Sequence, residues 1–253
     1  GLLADHNIVY LFNNTTPFWV ASLLSLINIA WLIFSFKETY QAEPKKWSLF
    51  RGIKSLPVGF KQKKLRSLSC YFLLIQLSWI MYYQVISFFL SKQFSYSALQ
   101  SGFFMTYIAL LLCFALSYII KKVEKHLSVS TFFKLSTLSI AASYLMTAFS
   151  YEQVTMVWLF ATPIALTMPI LYTYCLTLFS SAVDEQSQGW IMGYTGSINS
   201  LTMAIAAGLS GYLSYLHLNI PFYFSAGGTI GALLILIFSK RIFVHASDKS
   251  QPK

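Results

Sequence analysis

The chain has 253 residues, of which 56% are hydrophobic and only 10% charged, with a formal net charge of +10 and a mean hydropathy of +0.60. A chain this apolar cannot hide its surface from water by folding alone, which excludes an ordinary soluble domain and makes lipid part of its solvent. The bases stand at the ends of apolar stretches instead of forming one patch, which excludes a nucleic-acid partner in favour of anionic headgroups.

A helix crosses about 30 Å of hydrocarbon with roughly 20 apolar residues. Stretches of that length lie near 17–36, 68–91, 98–120, 132–150, 154–179, 190–214 and 220–239. Each is apolar on all sides, without the period-two alternation of a barrel strand, so the fold class is an all-α polytopic membrane protein with about seven transmembrane helices. Ahead of the first, the segment through Thr16 has no Lys or Arg and contains overlapping Asn-x-Thr sequons in Asn13-Asn14-Thr15-Thr16. After it comes a stretch, Gln41 to Arg66, that mixes eight bases with Pro44, Gly52, Pro57 and Gly59 and with the apolar Trp47, Leu49, Phe50 and Phe60. This is long for a loop, and it predicts an interfacial amphipathic helix around Trp47 to Leu56. The remaining six stretches follow on short connections. Between the fourth and fifth, only Tyr151 to Gln153 is left for a turn, which predicts an antiparallel hairpin. The chain thus divides into an external segment and first helix (1–40), a basic cytoplasmic linker (41–66), a six-helix unit (67–245) and a cytoplasmic tail (246–253).

Sidedness follows from the bases. Nine of the 18 Lys and Arg residues fall in the first gap, four in the third and four in the tail, whereas Lys92 alone occupies the second. The positive-inside rule puts those three groups in the cytoplasm, with Lys92 and the start of the chain outside. The gap from Ser180 to Gly189 carries Asp184 and Glu185 and no base, and acidic residues weigh little in that rule.

Reactive clusters are missing from the spans. Cys70, Cys113 and Cys175 fall in three different stretches without CxxC spacing, and His6, His126, His217 and His245 lie near span ends without a second ligand at i+3 or i+4. Neither a disulfide framework nor a metal site is expected, and no cofactor. An enzyme is not expected either, since intramembrane catalysis needs a nucleophile or an ionisable cluster at depth. No Asp, Glu, His or Arg lies in the middle of any span, and Lys134 is close enough to the cytoplasmic end to snorkel. A seven-helix receptor matches in helix count and orientation. Against it, the third span runs into Ile119-Ile120-Lys121-Lys122 without an acidic-Arg-aromatic triplet, and the last lacks Asn-Pro-x-x-Tyr and a retinal-linking lysine.

Three stretches carry a family resemblance. They are Gly1-Leu2-Leu3-Ala4-Asp5 with Pro17-Phe18 and Lys37-Glu38-Thr39; Pro169 with Ser180-Ser181-Ala182-Val183 and Gln188-Gly189; and Gly193, Ser197, Leu201, Gly208 and Gly211 with Pro221-Phe222. In this order and spacing the chain resembles the major facilitator superfamily, and is most similar to drug/proton antiporters of the tetracycline-resistance type. The resemblance implies the family's sixth helix, its central cytoplasmic loop and its complete C-terminal six-helix half, in a bacterial inner membrane. It further implies alternating-access transport of a small organic solute, drug or metabolite efflux in the first instance, with an uptake facilitator for sugars, amino acids or siderophores as the alternative. Protons, where coupled, would act through the other half, because these spans offer no carboxylate. The pattern departs from the family at Ala206-Ala207-Gly208, where Gly-Pro is common, and at Lys121-Lys122-Val123-Glu124-Lys125, which lacks the Asp and Arg of the usual latch. A chain that opens on Gly1 in mid-pattern reads as a fragment, expected neither to transport nor to close a cavity alone.

The resemblance also places a cavity between the spans that begin near Leu68, Gly102, Val154 and Trp190. On the first, Gln76 and Tyr83 are seven residues apart and share a helix face with Ser87, which makes them the leading candidates for substrate contact. Tyr107, Tyr174 and Asn199 are the polar candidates on the other three. The 22 Phe and 16 Tyr suit amphipathic, planar or cationic solutes, through stacking and cation–π contact. Pro163 and Pro169 are candidates for a kinked gating helix, and Gly189, Gly193, Gly208 and Gly211 for close helix packing or sliding. Sidedness is directly testable: a cysteine replacing Ser91 should react with an impermeant maleimide on intact cells, whereas one replacing Ser128 should react only after permeabilisation.

Overall fold

The computed structural model describes residues 13, 15–37, 51–150 and 152–239, apart from the side chains of 51–55. The chain before residue 13, the Trp47 start of the expected interfacial helix and the tail from 240 lie outside the described residues. Among them run eight helices: α1 (Thr16–Ser35), α2 (Arg51–Lys61), α3 (Arg66–Phe94), α4 (Ala98–His126), α5 (Val129–Phe149), α6 (Val154–Ser181), α7 (Gln188–Leu216) and α8 (Ile220–Phe238). Six of them, all but α2 and α7, are long and apolar enough to cross a membrane. Of the seven apolar stretches expected, six thus qualify as candidate spans by length and composition. α7 has the required length, 29 residues, but its Gly, Ser, Thr and Asn content dilutes its hydropathy.

The helix ends have local causes. At the start of α1, Asn13 Oδ1 accepts from the backbone N–H groups of Thr15 and Thr16 at 2.9 and 3.1 Å, and Pro17 occupies the first turn, where no intrahelical donor is needed. α3 stops at Ser95, whose φ of 55° is left-handed, and Ser97 then opens α4 with a capping box: its Oγ accepts from the Gln100 N–H at 3.2 Å while Gln100 Oε1 accepts from the Ser97 N–H at 2.9 Å. Two helices thus reverse direction within three residues. The α6–α7 turn is clamped in the same economical way, Ser180 Oγ donating to Gln188 Oε1 (2.7 Å) and Gln188 Nε2 to the Ser180 carbonyl (3.0 Å).

α3 is the post around which the bundle assembles. It packs most heavily on α8 and α7, and α8 packs equally on α5; α6 is held by α5 and α4, and touches α3 and α7 less closely. The α3–α8 crossing is close because Gly228 leaves room for Ser78: a Cβ at Gly228 would lie 2.5 Å from Ser78 Oγ, which is itself tied to the Leu74 carbonyl at 2.9 Å. Aromatic rings fill the α3–α5–α8 seam, with Tyr82 5.1 Å from Tyr144 and Phe89 5.0 Å from Phe222, centroid to centroid. A polar pair crosses this seam, Tyr71 Oη with Thr137 Oγ1 at 2.9 Å, whereas Tyr82 Oη and Ser225 Oγ are buried without a partner.

Two elements stand apart from the expected picture. α1 buries none of its side chains. The helix in the basic linker is described over Arg51–Lys61, overlapping the expected one, and it docks on protein: Gly59 is buried against the Tyr194 ring of α7, where a side chain would collide, and Phe60 meets the same ring edge-on at 6.3 Å. Tyr194 is fixed in turn by donating to Ser69 Oγ at 2.8 Å and by stacking on Trp190 at 5.6 Å. An amphipathic helix that finds an aromatic anchor has less need of the lipid interface.

The α3–α8 crossing yields a contrast between neighbouring glycines. Gly228→Ala should lower stability by about 1–3 kcal/mol through overpacking, whereas Gly227→Ala, with nothing within 4 Å of the added carbon, should be neutral or gain up to about 1 kcal/mol. Thermal unfolding of the two variants in detergent measures both.

Candidate functional site

A cleft of about 550 Å³ opens between α3, α4, α6 and α7. From α3 it receives Gln76, Trp79, Ile80, Tyr83 and Gln84, a run at spacings of three and four that forms one helical face. α6 contributes Met168, Pro169, Tyr172 and Thr173 by the same spacing, and α7 contributes Asn199 and Met203. Leu112 and Leu116 of α4 complete the wall. Each group lies near the middle of its helix, so the cleft sits at mid-depth of the bundle.

Its polar centre is a pair of carboxamides. Gln76, 4% exposed, donates from Nε2 to Asn199 Oδ1 at 3.0 Å, and so ties α3 to α7 across the floor of the cleft. Gln76 Oε1 is buried without a partner. Thr173 turns its hydroxyl proton inward, to the Pro169 carbonyl at 3.0 Å. The walls are aromatic and sulfur-bearing: the Trp79 and Tyr83 rings lie 5.5 Å apart at 34°, and Tyr83 is 47% exposed. None of the lining residues is an Asp, Glu, Lys, Arg or His.

Beyond Gln84 a second hollow of about 340 Å³ continues between α3 and α7 toward the C-terminal end of α3. Ser210 Oγ donates to Gln84 Oε1 at 3.4 Å there, and Phe88, Gly211 and Tyr215 line it. Gln84 joins the two spaces.

The structure brings Gln76, Tyr83 and Asn199 together in one cleft and sends the other two candidates elsewhere. Tyr107 bonds through its hydroxyl to Thr162 Oγ1 at 2.6 Å and packs 5.1 Å from Trp158, an α4–α6 contact away from the cleft. Tyr174 faces α5, its ring 5.7 Å from Phe132 and 6.3 Å from Phe133. Ser87 is half-buried outside the lining set. Of the two prolines, Pro169 lines the cleft; Pro163 does not, and its carbonyl accepts from Thr167 Oγ1 at 2.7 Å. Both sit inside one continuous α6. The glycines of α7 do not mediate close packing among the described residues: an added Cβ at Gly189, Gly193, Gly208 or Gly211 meets nothing within 4 Å. The close glycine approaches are at Gly59 and Gly228 instead, because α3 meets α7 through Gln76–Asn199 and Ser69–Tyr194 and meets α8 through the small Ser78.

Sequence reasoning missed Trp79, Gln84, Tyr172, Thr173 and Met203. The signal was present, since Trp79 and Gln84 extend the Gln76–Tyr83 face, Tyr172 and Thr173 follow Pro169 by three and four, and Met203 follows Asn199 by four. A five-residue π-helical stretch, Ala115–Ile119, interrupts α4 beside the cleft and carries Leu116 into the wall. Such stretches often occur at functional sites. No protein-family model matches the chain, and no curated protein matches it either.

Proposed function

We propose that these helices form the C-terminal six-helix half, with the preceding helix, of a secondary transporter of the major facilitator type, which moves a small organic solute across the membrane by alternating access. The observation that carries this reading is the mid-depth cleft between α3, α4, α6 and α7, with an amide pair at its floor and aromatic walls. Solute sites of secondary transporters lie near the bilayer midplane, at the interface of structural repeats.

The packing pattern supports the same reading. Exchanging α3 with α6, α4 with α7 and α5 with α8 turns the α3–α8 contact into α6–α5 and the α3–α7 contact into α6–α4, and leaves α5–α8 and α3–α6 unchanged. Three helices followed by three equivalent ones have opposite orientation when all six cross, which is the inverted repeat nested in each half of such transporters. On this reading α7 crosses the membrane as the seventh span despite its diluted hydropathy. Its open glycine face and the uncovered α1 are then surfaces for the companion half or for lipid. Drug or metabolite efflux is the preferred direction, with proton coupling assigned to the companion half. The carrier is read as having no enzymatic role.

The amide pair gives the test. In the transport-competent protein, Gln76→Ala and Tyr83→Phe should each raise the apparent KM for the solute about three- to tenfold while expression at the membrane stays normal, corresponding to loss of one hydrogen bond. Unchanged transport in both variants would reassign these residues to packing.

A further inference from the structure

Away from the cleft, four bases are presented on fixed backbone at one end of the bundle. The contacts Ser69–Tyr194 and Gln76–Asn199 run in the same direction along α3 and α7, so both helices begin at that end, and α2 packs on the two of them there. It is the end that the positive-inside rule places in the cytoplasm. The chain passes from α2 to α3 through a turn closed on itself: the Gln62 N–H reaches the Val58 and Gly59 carbonyls at 3.3 and 3.2 Å, and the Gln62 carbonyl accepts from the Leu65 and Arg66 N–H groups at 3.0 and 2.9 Å. Leu65, 1% exposed, and Gly59, against the Tyr194 ring, hold the turn to the protein. Lys61, Lys63, Lys64 and Arg66 are all exposed, and none of them pairs with a carboxylate among the described residues. Like charges this close raise one another's energy, and an anion brought to them lowers it.

The hydrocarbon beside these bases separates the surface from a site for a soluble anion. Val58 is 49% exposed and stands three residues before Lys61, on the same face of α2, with the exposed Pro57 next to it. α3, long and apolar enough to cross a membrane, starts at Arg66, so the bases stand where headgroups meet hydrocarbon. Lysine and arginine stems lie along apolar surface at such a boundary and keep their charged ends in the headgroup layer.

We propose that the α2–α3 turn is a docking surface for an anionic phospholipid, whose phosphate is held by Lys61, Lys63, Lys64 and Arg66 while its acyl chains lie beside Val58 and the start of α3. The proposal does not depend on the transporter reading or on what the cleft carries. A second basic group, Lys121, Lys122, Lys125 and Lys134, provides the comparison. It has the same number of bases, but Glu124 stands within it, and Lys122 lies over the Tyr118 ring at 4.7 Å.

Native mass spectrometry of the purified full chain in an uncharged detergent tests this. The chain is titrated with dioleoylphosphatidylglycerol or with dioleoylphosphatidylcholine, which share their acyl chains and differ in net charge. The wild type should bind its first phosphatidylglycerol at least about tenfold more tightly than its first phosphatidylcholine, and raising the ionic strength about tenfold should remove most of that preference. Changing the four bases of the turn together, Lys61→Gln, Lys63→Gln, Lys64→Gln and Arg66→Gln, should bring the two lipids within about twofold of each other. The same change at Lys121, Lys122, Lys125 and Lys134 should leave the preference within about twofold of the wild type. Equal affinity of the wild type for the two lipids, a preference that survives in the turn variant, or one lost equally in the comparison variant overturns the proposal. Displacement of the bound phosphatidylglycerol by an equimolar amount of inorganic pyrophosphate overturns it as well, because the site would then be one for a soluble anion. The lipid comparison and the pyrophosphate competition use the wild type alone, so neither set of substitutions has to fold for the proposal to fail.

Discussion

The close crossing of α8 over α3, at Gly228 and Ser78, is the contact on which the rest of the bundle depends. Lipid tails are as apolar as leucine, so helices in a membrane are not driven together by water and must associate through fit and hydrogen bonds, each of the latter contributing about 0.6–2 kcal/mol. α3 collects both kinds of contact. Ser78 admits α8, Tyr71 reaches Thr137 of α5, and Ser69 and Gln76 reach Tyr194 and Asn199 of α7. Tyr82 and Phe89 then interlock with Tyr144 and Phe222, so that α5 and α8 close one side of the post.

The other side of α3 is left open by the same logic. α7 is held at Ser69–Tyr194 and at Gln76–Asn199, and beyond Asn199 its glycines and serines are too small to fill the space toward α3 and α6. A cleft results where the contacts run out. The linker helix α2 is anchored, through the fit of Gly59, on the Tyr194 ring that joins α7 to α3. One tyrosine thereby couples packing of the membrane unit to the linker that connects it to α1.

Much of this was legible before any coordinates. Apolar length gave every long helix, because membrane spans are set by thickness and need no tertiary context. With the cavity helices taken from the family resemblance, helical spacing supplied the Gln76–Tyr83 face, and Asn199 was the polar candidate on its helix. What failed did so for geometric reasons. Tyr174 stands one residue past the Pro169–Tyr172–Thr173 face and is turned by about 100° onto α5, a phase error that the position of Pro169 could have corrected. Tyr107 looked like a cavity lining but lies off the Leu112–Leu116 wall and met Thr162 instead. The glycine ladder of α7 marks a surface where a helix could approach, and nothing in Gly-x-x-x-Gly spacing says whether one does; among the described residues the close approach falls at Gly228, in a helix whose glycines attracted no attention. The shortfall of α7 as an apolar span has the same origin as the cleft, since polar and small side chains serve the cavity at the expense of hydropathy.

The central claim is that the space between α3, α4, α6 and α7 is a solute cavity reached by water at mid-depth. It is tested most directly by thiol accessibility in a background lacking Cys70, Cys113 and Cys175. Single cysteines at Thr173 and Met203, in the cleft, are compared with one at Leu138, exposed on α5 at similar depth but on the outer surface of the bundle. A small charged methanethiosulfonate reagent, applied to the protein in lipid vesicles, should modify the cleft positions at least about tenfold faster than Leu138→Cys, because thiols in hydrocarbon do not ionise to the reactive thiolate. Equal protection of all three positions would mean that the cleft is filled by lipid, and would contradict the account.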